Sequence, residues 1–233
     1  KLRQQKRAHV YYHLSVDHIQ RDEKEIVVNT NKGQAFHARL LVGADGASSR
    51  VRELAGIGIH QRSYRQMAIV AHVATEKLHR QTARQRFLRS GPLAFLPLAD
   101  KRSSIVWSAD AKLAEKLIQS PNDVFQEQLE IAFQHCMGSI TSVSHRKHFA
   151  LVHHHVERYV GHRIVLVGDA AHTVHPLAGL GANQGLADAA TLAEALVDSA
   201  NQELDFGGQP TLRRYERWRQ GENQLILHTL DGL

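Results

Sequence analysis

Hydrophobic and polar positions alternate with a period of two in the first third of the chain. Short β-rich runs separated by turn residues predict a meander of strands there, with residues 31–33 as one of the turns. The predicted strands cover residues 10–16, 25–30 and 34–42. A short helix should follow, capped by the hydroxyl of Ser48 or Ser49 and ended by Gly56 as its C′ residue.

The middle of the chain continues this alternation and then changes to a helical period. The predicted strands there cover residues 67–73, 85–89, 93–96 and 104–107, and turn residues separate them. This spacing indicates an antiparallel sheet. Residues 111–134 fit helices that are broken at Ser120-Pro121, and residues 143–152 fit another strand.

A buried strand and two helices are predicted in the last third. The apolar run over residues 163–167 ends at Gly168-Asp169, and a second glycine cluster precedes a helix over residues 182–199. The predicted apolar face of that helix comprises Leu186, Ala189, Ala190, Ala193, Leu196 and Val197. A basic and then apolar helix is predicted over residues 211–230. The predicted antiparallel strands, the buried strand and the helices together predict an α+β fold.

Composition narrows the class of protein. The chain has 233 residues, of which 42% are hydrophobic and 22% charged, and it has no apolar run long enough to cross a bilayer. A disordered chain, a collagen and a membrane-spanning bundle are thereby excluded. The single cysteine, Cys136, excludes an intramolecular disulfide framework, favours a cytoplasmic compartment, and is expected in the core.

The charge balance indicates anionic partners. Lys and Arg number 29 against 23 Asp and Glu, which gives a formal charge of +6, and 17 His add to it at lower pH. Nucleic acid, anionic lipid headgroups and phosphate-bearing cofactors all satisfy this balance. Basic residues are spread along the chain and only 6% of residues are aromatic, which argues against a nucleic-acid-binding module.

The segment from Val165 to Gly185 carries the clearest chemical signal. Asp169 directly follows a buried strand, where a carboxylate can accept hydrogen bonds from the hydroxyls of a sugar or sugar alcohol. Gly179 and Gly181 allow the backbone to approach a flat ligand, and the helix that follows presents unpaired N–H groups. Such a site suits a ring that becomes anionic during turnover.

Two motifs resemble those of a known family. Gly168-Asp169-Ala-Ala-His172, with Pro176 and the residues 179–183, resembles the GD motif of the flavin-dependent aromatic hydroxylases, the para-hydroxybenzoate-hydroxylase-like group. The residues 41–52 resemble their DG motif. The residues 91–99, 104–108 and 212–217 are similar to the ubiquinone-biosynthesis hydroxylases, among which the 2-polyprenylphenol 6-hydroxylase, acting at ring carbon 5, is the most similar.

The resemblance implies an FAD-dependent monooxygenase that uses NAD(P)H and dioxygen to hydroxylate a polyprenylated phenol in ubiquinone biosynthesis. It also implies contact with a membrane surface or a biosynthetic complex, and no nucleic acid. A partial FAD-binding domain of α/β type is implied for residues 1–60 and 156–198. The antiparallel sheet would form a substrate domain over residues 61–155, and a helical segment would cover residues 199–233.

The resemblance also implies roles for individual residues. Asp169, which follows Gly168, would accept hydrogen bonds from the ribitol chain of FAD, and Pro176 would lie beside the ring. Backbone amides near Gly179 would face the pyrimidine edge of the flavin. The resemblance assigns that contact to Gly181, Ala182 and Asn183. It places Asp45 and Gly46 near the pyrophosphate.

One family feature is missing from the sequence. The Gly-x-Gly-x-x-Gly turn that holds the ADP phosphates does not occur, which leads us to expect a carboxyl-terminal fragment. We expect these 233 residues alone to be inactive and to bind no FAD at micromolar concentration. A reductase or halogenase on the same scaffold, and a non-enzymatic basic binding module, are the alternatives.

Two weaker patterns have simpler interpretations. The three consecutive histidines 153–155 could suggest a metal, but in a strand only the first and third share a face. We therefore predict no metal site. His172 and His175 are interpreted as structural histidines of the flavin loop. The four arginines at positions 213, 214, 217 and 219 are interpreted as a solvated basic helix face.

Overall fold

The computed structural model of the chain describes residues 7–173 and 180–231. Its strands are β1 Val16–Arg21, β2 Ile26–Thr30, β3 Ala35–Ala38, β4 Leu41–Gly43, β5 Ile59–Thr75, β6 Arg84–Leu88, β7 Gly91–Pro97, β8 Ser103–Asp110, β9 Ile140–Val143, β10 Lys147–Val156, β11 Val160–Gly161, β12 Ile164–Leu166 and β13 His172–Thr173. Its helices are α1 Arg50–Leu54, α2 Ala111–Gln119, α3 Asn122–Ala132, α4 Leu180–Asn201 and α5 Gln209–Asp231. The mixture confirms the predicted α+β class.

The chain divides into two units. The first unit comprises Lys1–Gln61 and His154–Leu233, and the second comprises Arg62–His153. The first unit contains the segments that the sequence relates to FAD, and it also contains α5. The functional assignments of the predicted domains remain predictions.

The first unit contains two small sheets. In one, β1, β2 and β3 form an antiparallel meander, and in the other, β4 pairs in parallel with β12, which pairs antiparallel with β11. Its core is built from apolar side chains of these strands and of the helices α1, α4 and α5. Gly43 ends β4, and a Cβ there would lie 2.7 Å from Cδ2 of Leu166 and 2.9 Å from Cγ1 of Val51. The close approach of β4, β12 and α1 therefore requires glycine at this position.

The second unit is an antiparallel sheet covered by two helices. The strands β5, β8, β7 and β6 lie side by side in that order, and β9 also pairs with β5. Trp107 of β8 packs against Phe125 of α3, and Phe95 of β7 stacks on Phe133 at 4.1 Å between ring centroids. Asp110 caps α2 by accepting a hydrogen bond from the Leu113 amide at 3.0 Å. The predicted antiparallel sheet and the helix break at residues 120–121 are thus present.

Three predicted strands are absent or divided in the structure, and the predicted strand 67–73 is part of the longer β5. The predicted strand 10–16 is wrong, since His13 adopts a left-handed φ of 58° that interrupts an extended strand. The first strand is instead β1, Val16–Arg21, which the sequence analysis did not predict. The predicted strand 34–42 is two strands, because β3 pairs with β2 whereas β4 pairs with β12. The predicted strand 143–152 separates into β9 and β10 at Ser144, whose amide donates to the carbonyl of His72 at 2.9 Å.

Two burial predictions are wrong. The predicted apolar face of α4 is largely exposed, with Leu186 at 69% and Val197 at 57%, and only Leu196 packs partly against the core. The helix instead turns Gln184 and Asp188 inward, where they have polar partners. Cys136 is exposed rather than part of the core. Gln134 and His135 adopt left-handed φ angles after α3 and turn the chain there, so that the neighbouring Phe133 and Met137 are buried instead.

An ion pair within the first unit connects the turn before α5 to the segment between β11 and β12. Arg163 is buried and donates to the backbone carbonyls of Glu23 and Arg39, and its Nη2 lies 2.5 Å from Oδ2 of Asp205. The hydrogen bond from Arg163 lowers the pKa of Asp205 from its usual value of 3.8 to about 2. The ionised carboxylate is therefore favoured by the folded state.

We expect Asp205→Asn to destabilise the protein at neutral pH and to have little effect in strong acid. A lowered folded-state pKa contributes stability above the unfolded value, and that contribution is lost as pH falls from about 4 through about 2. Since 41% of the Asp205 side chain is exposed, screening limits the contribution to about 1 kcal/mol. Thermal melts from pH 7 to pH 2.5 measure it. Asp17→Asn, at an exposed position of β1, is the control, and an Asp205→Asn deficit that does not shrink with pH contradicts the expectation.

Candidate cofactor site

The two motif segments meet at one edge of the parallel strand pair. Gly43, at the end of β4, begins the DG loop, which we define as residues 43–49, and the GD turn, defined as residues 168–170, follows β12. The amide of Val167 donates to the carbonyl of Gly43 at 3.0 Å. The carboxyl ends of parallel strands are where α/β sheets bind ligands. The pairing therefore brings both motifs to one candidate site.

The GD turn depends on glycine at two positions. Gly168 has a φ of 58°, which other residues adopt only with strain. A Cβ added to Gly185 of α4 would lie 3.4 Å from the Cα of Gly168, so the turn and the helix pack backbone to backbone. The turn is thereby held directly against α4.

Asp169 is presented outward by this turn. Its residue is exposed, and its carboxylate makes no hydrogen bond with any residue that the structure describes. Its backbone carbonyl accepts a hydrogen bond from Nε2 of His154 at 3.0 Å, and Nδ1 of the same ring lies 2.9 Å from the hydroxyl of Thr173. The backbone of Asp169 is fixed while its carboxylate is available to a ligand.

The DG loop is organised by its own side chains. The carboxylate of Asp45 accepts hydrogen bonds from the Ser49 hydroxyl at 2.5 Å and from the Val51 amide at 3.0 Å. Ser49, one of the two predicted caps, is the N-cap of α1 and accepts a hydrogen bond from the Arg52 amide. Gly46 has a φ of 84°, and no described atom lies within 4 Å of the position of a Cβ there. Asp45 therefore shapes the loop through both of its carboxylate oxygens.

Arg52 links the two motifs, a role that the sequence analysis missed. Its side chain is buried and donates to the carbonyl of Ala170 in the GD turn at 3.0 Å and to that of Ala47 in the DG loop at 2.8 Å. The sequence signal was the position of this arginine, three residues after the N-cap Ser49, at the end of the DG motif. No local pattern shows that it reaches a residue 118 positions away.

The first turn of α4 supplies the third part of the site. Gly181, Ala182 and Asn183 lie in this turn, where backbone N–H groups have no acceptor within the helix. Ala182 and Asn183 are exposed, and no described atom lies within 4 Å of a Cβ added to Gly181. Gly181 is not among the glycines with positive φ, so the backbone conformation does not by itself require glycine there. Pro176 and Gly179 lie outside the described residues, as does His175.

The residues present fit a flavin nucleotide. An unpaired carboxylate can accept from ribitol hydroxyls, and the helix start offers N–H donors and a positive dipole end to an electron-rich ring edge. No described side chain occupies the position beside Gly181 where a flat ring could approach. No group of three metal-ligating side chains occurs among the residues that the structure describes.

Two other sequence interpretations can be compared with the structure. Arg219 is not part of a solvated face, since it is 1% exposed and paired with Asp188. Arg213 and Arg217 are exposed, and Trp218 is 40% exposed. His172 is buried in β13. Among the described helices, none is long and apolar enough to cross a membrane.

Known proteins resemble this chain over most of its length. The ubiquinone hydroxylase UbiL of Rhodospirillum rubrum is 44% identical over 215 residues, which cover 92% of this chain and 50% of that protein. The 3-demethoxyubiquinol 3-hydroxylase of Escherichia coli is 38% identical over 85% of this chain and 51% of its own length. The human mitochondrial ubiquinone biosynthesis monooxygenase COQ6 is 35% identical over 88% of this chain and 51% of its own length. The chain thus spans about half the length of these relatives.

Solved structures share the fold. PqsL of Pseudomonas aeruginosa, described as a probable FAD-dependent monooxygenase, is 27% identical and superposes with a TM-score of 0.78 over 92% of this chain and 61% of its own. The p-nitrophenol 4-monooxygenase PnpA of Pseudomonas putida superposes with a TM-score of 0.74 over 94% of this chain and 55% of its own. Its sequence is 21% identical, so the similarity concerns the fold alone. A family model described as FAD binding domain matches residues 2–225. With the DG loop, the GD turn and the start of α4 gathered in one unit, the chain belongs to the FAD binding domain family.

Proposed function

We propose that this protein is an FAD-dependent aromatic-ring monooxygenase that hydroxylates a polyprenylated phenol in ubiquinone biosynthesis. The observation that carries the proposal is the meeting of the DG loop and the GD turn at one sheet edge, with the Asp169 carboxylate exposed and unpaired among described residues. The names of the relatives support the substrate class, since they are a ubiquinone hydroxylase, a 3-demethoxyubiquinol 3-hydroxylase and a ubiquinone biosynthesis monooxygenase.

Each part of the site has a role in this proposal. When bound, FAD supplies the redox chemistry, in which a hydride from NAD(P)H and dioxygen place one oxygen atom on the phenol and release the other as water. Asp169 binds the ribitol hydroxyls. The amides of Gly181, Ala182 and Asn183 bind the pyrimidine edge of the ring, and the positive end of α4 stabilises the negative charge that the ring gains on reduction.

The remaining residues of the site act on binding and geometry. Gly46, in the DG loop, is proposed to contact the pyrophosphate together with Asp45, which also holds that loop in shape. Pro176 and Gly179, outside the described residues, are proposed to line the ring. Gly168 supplies the left-handed backbone that turns Asp169 outward.

A turnover assay tests the proposal. The full-length protein, loaded with FAD and supplied with NAD(P)H and labelled dioxygen, should convert a short-chain polyprenylphenol to a product that carries one labelled oxygen. Our specific proposal is the 2-polyprenylphenol 6-hydroxylase reaction at ring carbon 5. The position of the new hydroxyl, read by NMR, distinguishes it from the 3-hydroxylation of 3-demethoxyubiquinol. A protein that binds FAD but transfers no labelled oxygen to either phenol would contradict the proposed activity.

A further inference from the structure

A buried carboxylate on α4 holds three separate parts of the first unit together. Asp188 is fully buried, and its Oδ2 accepts hydrogen bonds from the Gly168 amide at 2.8 Å and from Nε2 of His172 at 2.7 Å. Its Oδ1 accepts from Nε of Arg219 at 2.6 Å. One side chain thus connects α4 to the GD turn, to β13 and to α5.

The arginine of this cluster is fully satisfied by buried or nearby acceptors. Nη2 of Arg219 donates to Oε1 of Gln184 at 2.7 Å and to Oδ1 of Asn223 at 3.0 Å, and Nη1 donates to Glu222. Asn223 in turn donates to the hydroxyl of Tyr159 at 2.8 Å. A buried charge that has its partners is stable, whereas removal of one partner leaves the other uncompensated. The cluster therefore resists rearrangement.

The ionised form of Asp188 is the one that this environment selects. Burial alone would raise the pKa of the carboxyl, but hydrogen bonds from His172, Arg219 and Gly168 outweigh burial and hold the pKa below its usual range. A carboxylate without a proton can accept from all three donors at once. The three connections are thus maintained together at neutral pH.

Asp188 binds residues on both sides of Asp169 in the chain. Gly168 and His172 stand at the two ends of a five-residue segment, and Asp169 lies between them. Gln184, which binds the same arginine, directly follows Asn183 in the first turn of α4. The cluster consequently fixes the GD turn and the helix start relative to each other, and Asp188, Arg219, Gln184 and His172 are all buried.

We propose that Asp188 and Arg219 are positioning residues of the flavin site, which hold the GD turn against the first turn of α4 so that Asp169 and the helix amides bind one cofactor together. This proposal rests on the proposed function. It extends the site to α5, because Arg219 of that helix binds Asp188, which in turn binds the amide of Gly168 in the GD turn.

A second ion pair between α4 and α5 provides a control for the Asp188–Arg219 pair. Arg214 and Asp198 also join α5 to α4, at 2.7 Å, but their side chains are 35% and 36% exposed and far along the helix from the GD turn. The test variants are Arg219→Lys and Asp188→Asn, and the controls are Arg214→Lys and Asp198→Asn. Lysine keeps the charge of Arg219 but loses the planar fork that reaches several acceptors.

Three measurements on the full-length protein separate positioning from stability. The first is hydrogen exchange, without flavin, of a peptide covering residues 165–173. The second is the FAD dissociation constant, measured by titration. The third is the melting temperature of the flavin-free protein. We expect both test variants to exchange at least tenfold faster at the Gly168 amide and to bind FAD at least tenfold more weakly. The controls should change neither quantity more than twofold and should lower the melting temperature less, because their ion pair is partly exposed.

Each outcome is decisive. Unchanged exchange or unchanged FAD affinity in the test variants, with only a lower melting temperature, would show that the cluster is merely structural. If neither test variant folds, His172→Asn retains the Asp188–Arg219 pair, removes only the bond at the far end of the segment, and should show the same two changes. A wild-type protein that binds no FAD would overturn the proposed function and this proposal with it.

Discussion

Replacing Asp169 with alanine is expected to remove FAD from the full-length protein while leaving its fold intact. The carboxylate is the unpaired acceptor at the GD turn, and each charge-assisted hydrogen bond to a ribitol hydroxyl contributes about 1.5–3 kcal/mol. Loss of one bond raises the dissociation constant about ten- to hundred-fold, and loss of two multiplies that effect. Flavin content after purification and a fluorescence titration of the flavin-free protein measure it.

Stability should behave differently from affinity in this variant. The Asp169 carboxylate is exposed and bonds to no described side chain or amide, so its removal should change the unfolding free energy by no more than about 0.5 kcal/mol. Asp100→Ala, at an exposed aspartate of the second unit, is the matched control and should retain FAD. Stoichiometric FAD in Asp169→Ala would remove the role proposed for this carboxylate.

Local sequence patterns predicted the parts of the site that are set by local geometry. Ser49 was recognisable as a cap because a hydroxyl before a helix accepts its free N–H groups. Gly168 and Asp169 were recognisable because a buried strand ends there. Likewise, the strand alternation of residues 67–107 predicted the antiparallel sheet. In each case the sequence signal lies in residues only a few positions apart, although β5 and β8 pair over 30 positions or more.

The face of α4 could not be predicted from periodicity. Hydropathy places Leu186 and Val197 inside and Asp188 outside, and the structure reverses this. Asp188 can be buried because Arg219 pairs with it from α5, 31 positions later in the chain, and because the amide of Gly168 completes its shell. A carboxylate is assigned to the surface by any local rule, so only the tertiary pairing reveals its position.

Residues that act at a distance were missed for the same reason. His154 was considered only within a run of three histidines, yet its ring fixes the backbone of Asp169 and contacts Thr173. The strand pairing that brings β10 beside β13 creates this contact. The interpretation of Arg219 as a surface residue was wrong for the same reason. The nearby Arg213 and Arg217 do face solvent, and only the tertiary pairing with Asp188 distinguishes Arg219 from them.

Arg52→Met is expected to lower both stability and FAD affinity. Methionine retains an unbranched stem of similar length in this buried position but removes the donors to Ala47 and Ala170. A hydrogen bond from a charged donor contributes about 1.5–3 kcal/mol, so the flavin-free protein should lose about 3 kcal/mol or more. For a unit of this size each kcal/mol lowers the melting temperature by about 2–4 °C.

The affinity loss follows from the position of the two carbonyls that Arg52 joins. One lies in the DG loop and the other in the GD turn, and a ligand held by both segments binds best when their spacing is already fixed. Arg52→Lys should be intermediate, because a single ammonium lacks the fork that reaches two carbonyls in different directions. Arg50→Met removes an exposed arginine of the same helix, paired with Glu53 at 2.8 Å, and should change neither property. An Arg52→Met protein that melts lower but binds FAD as tightly as Arg50→Met would show that the bridge stabilises the fold without setting the spacing of the two motifs.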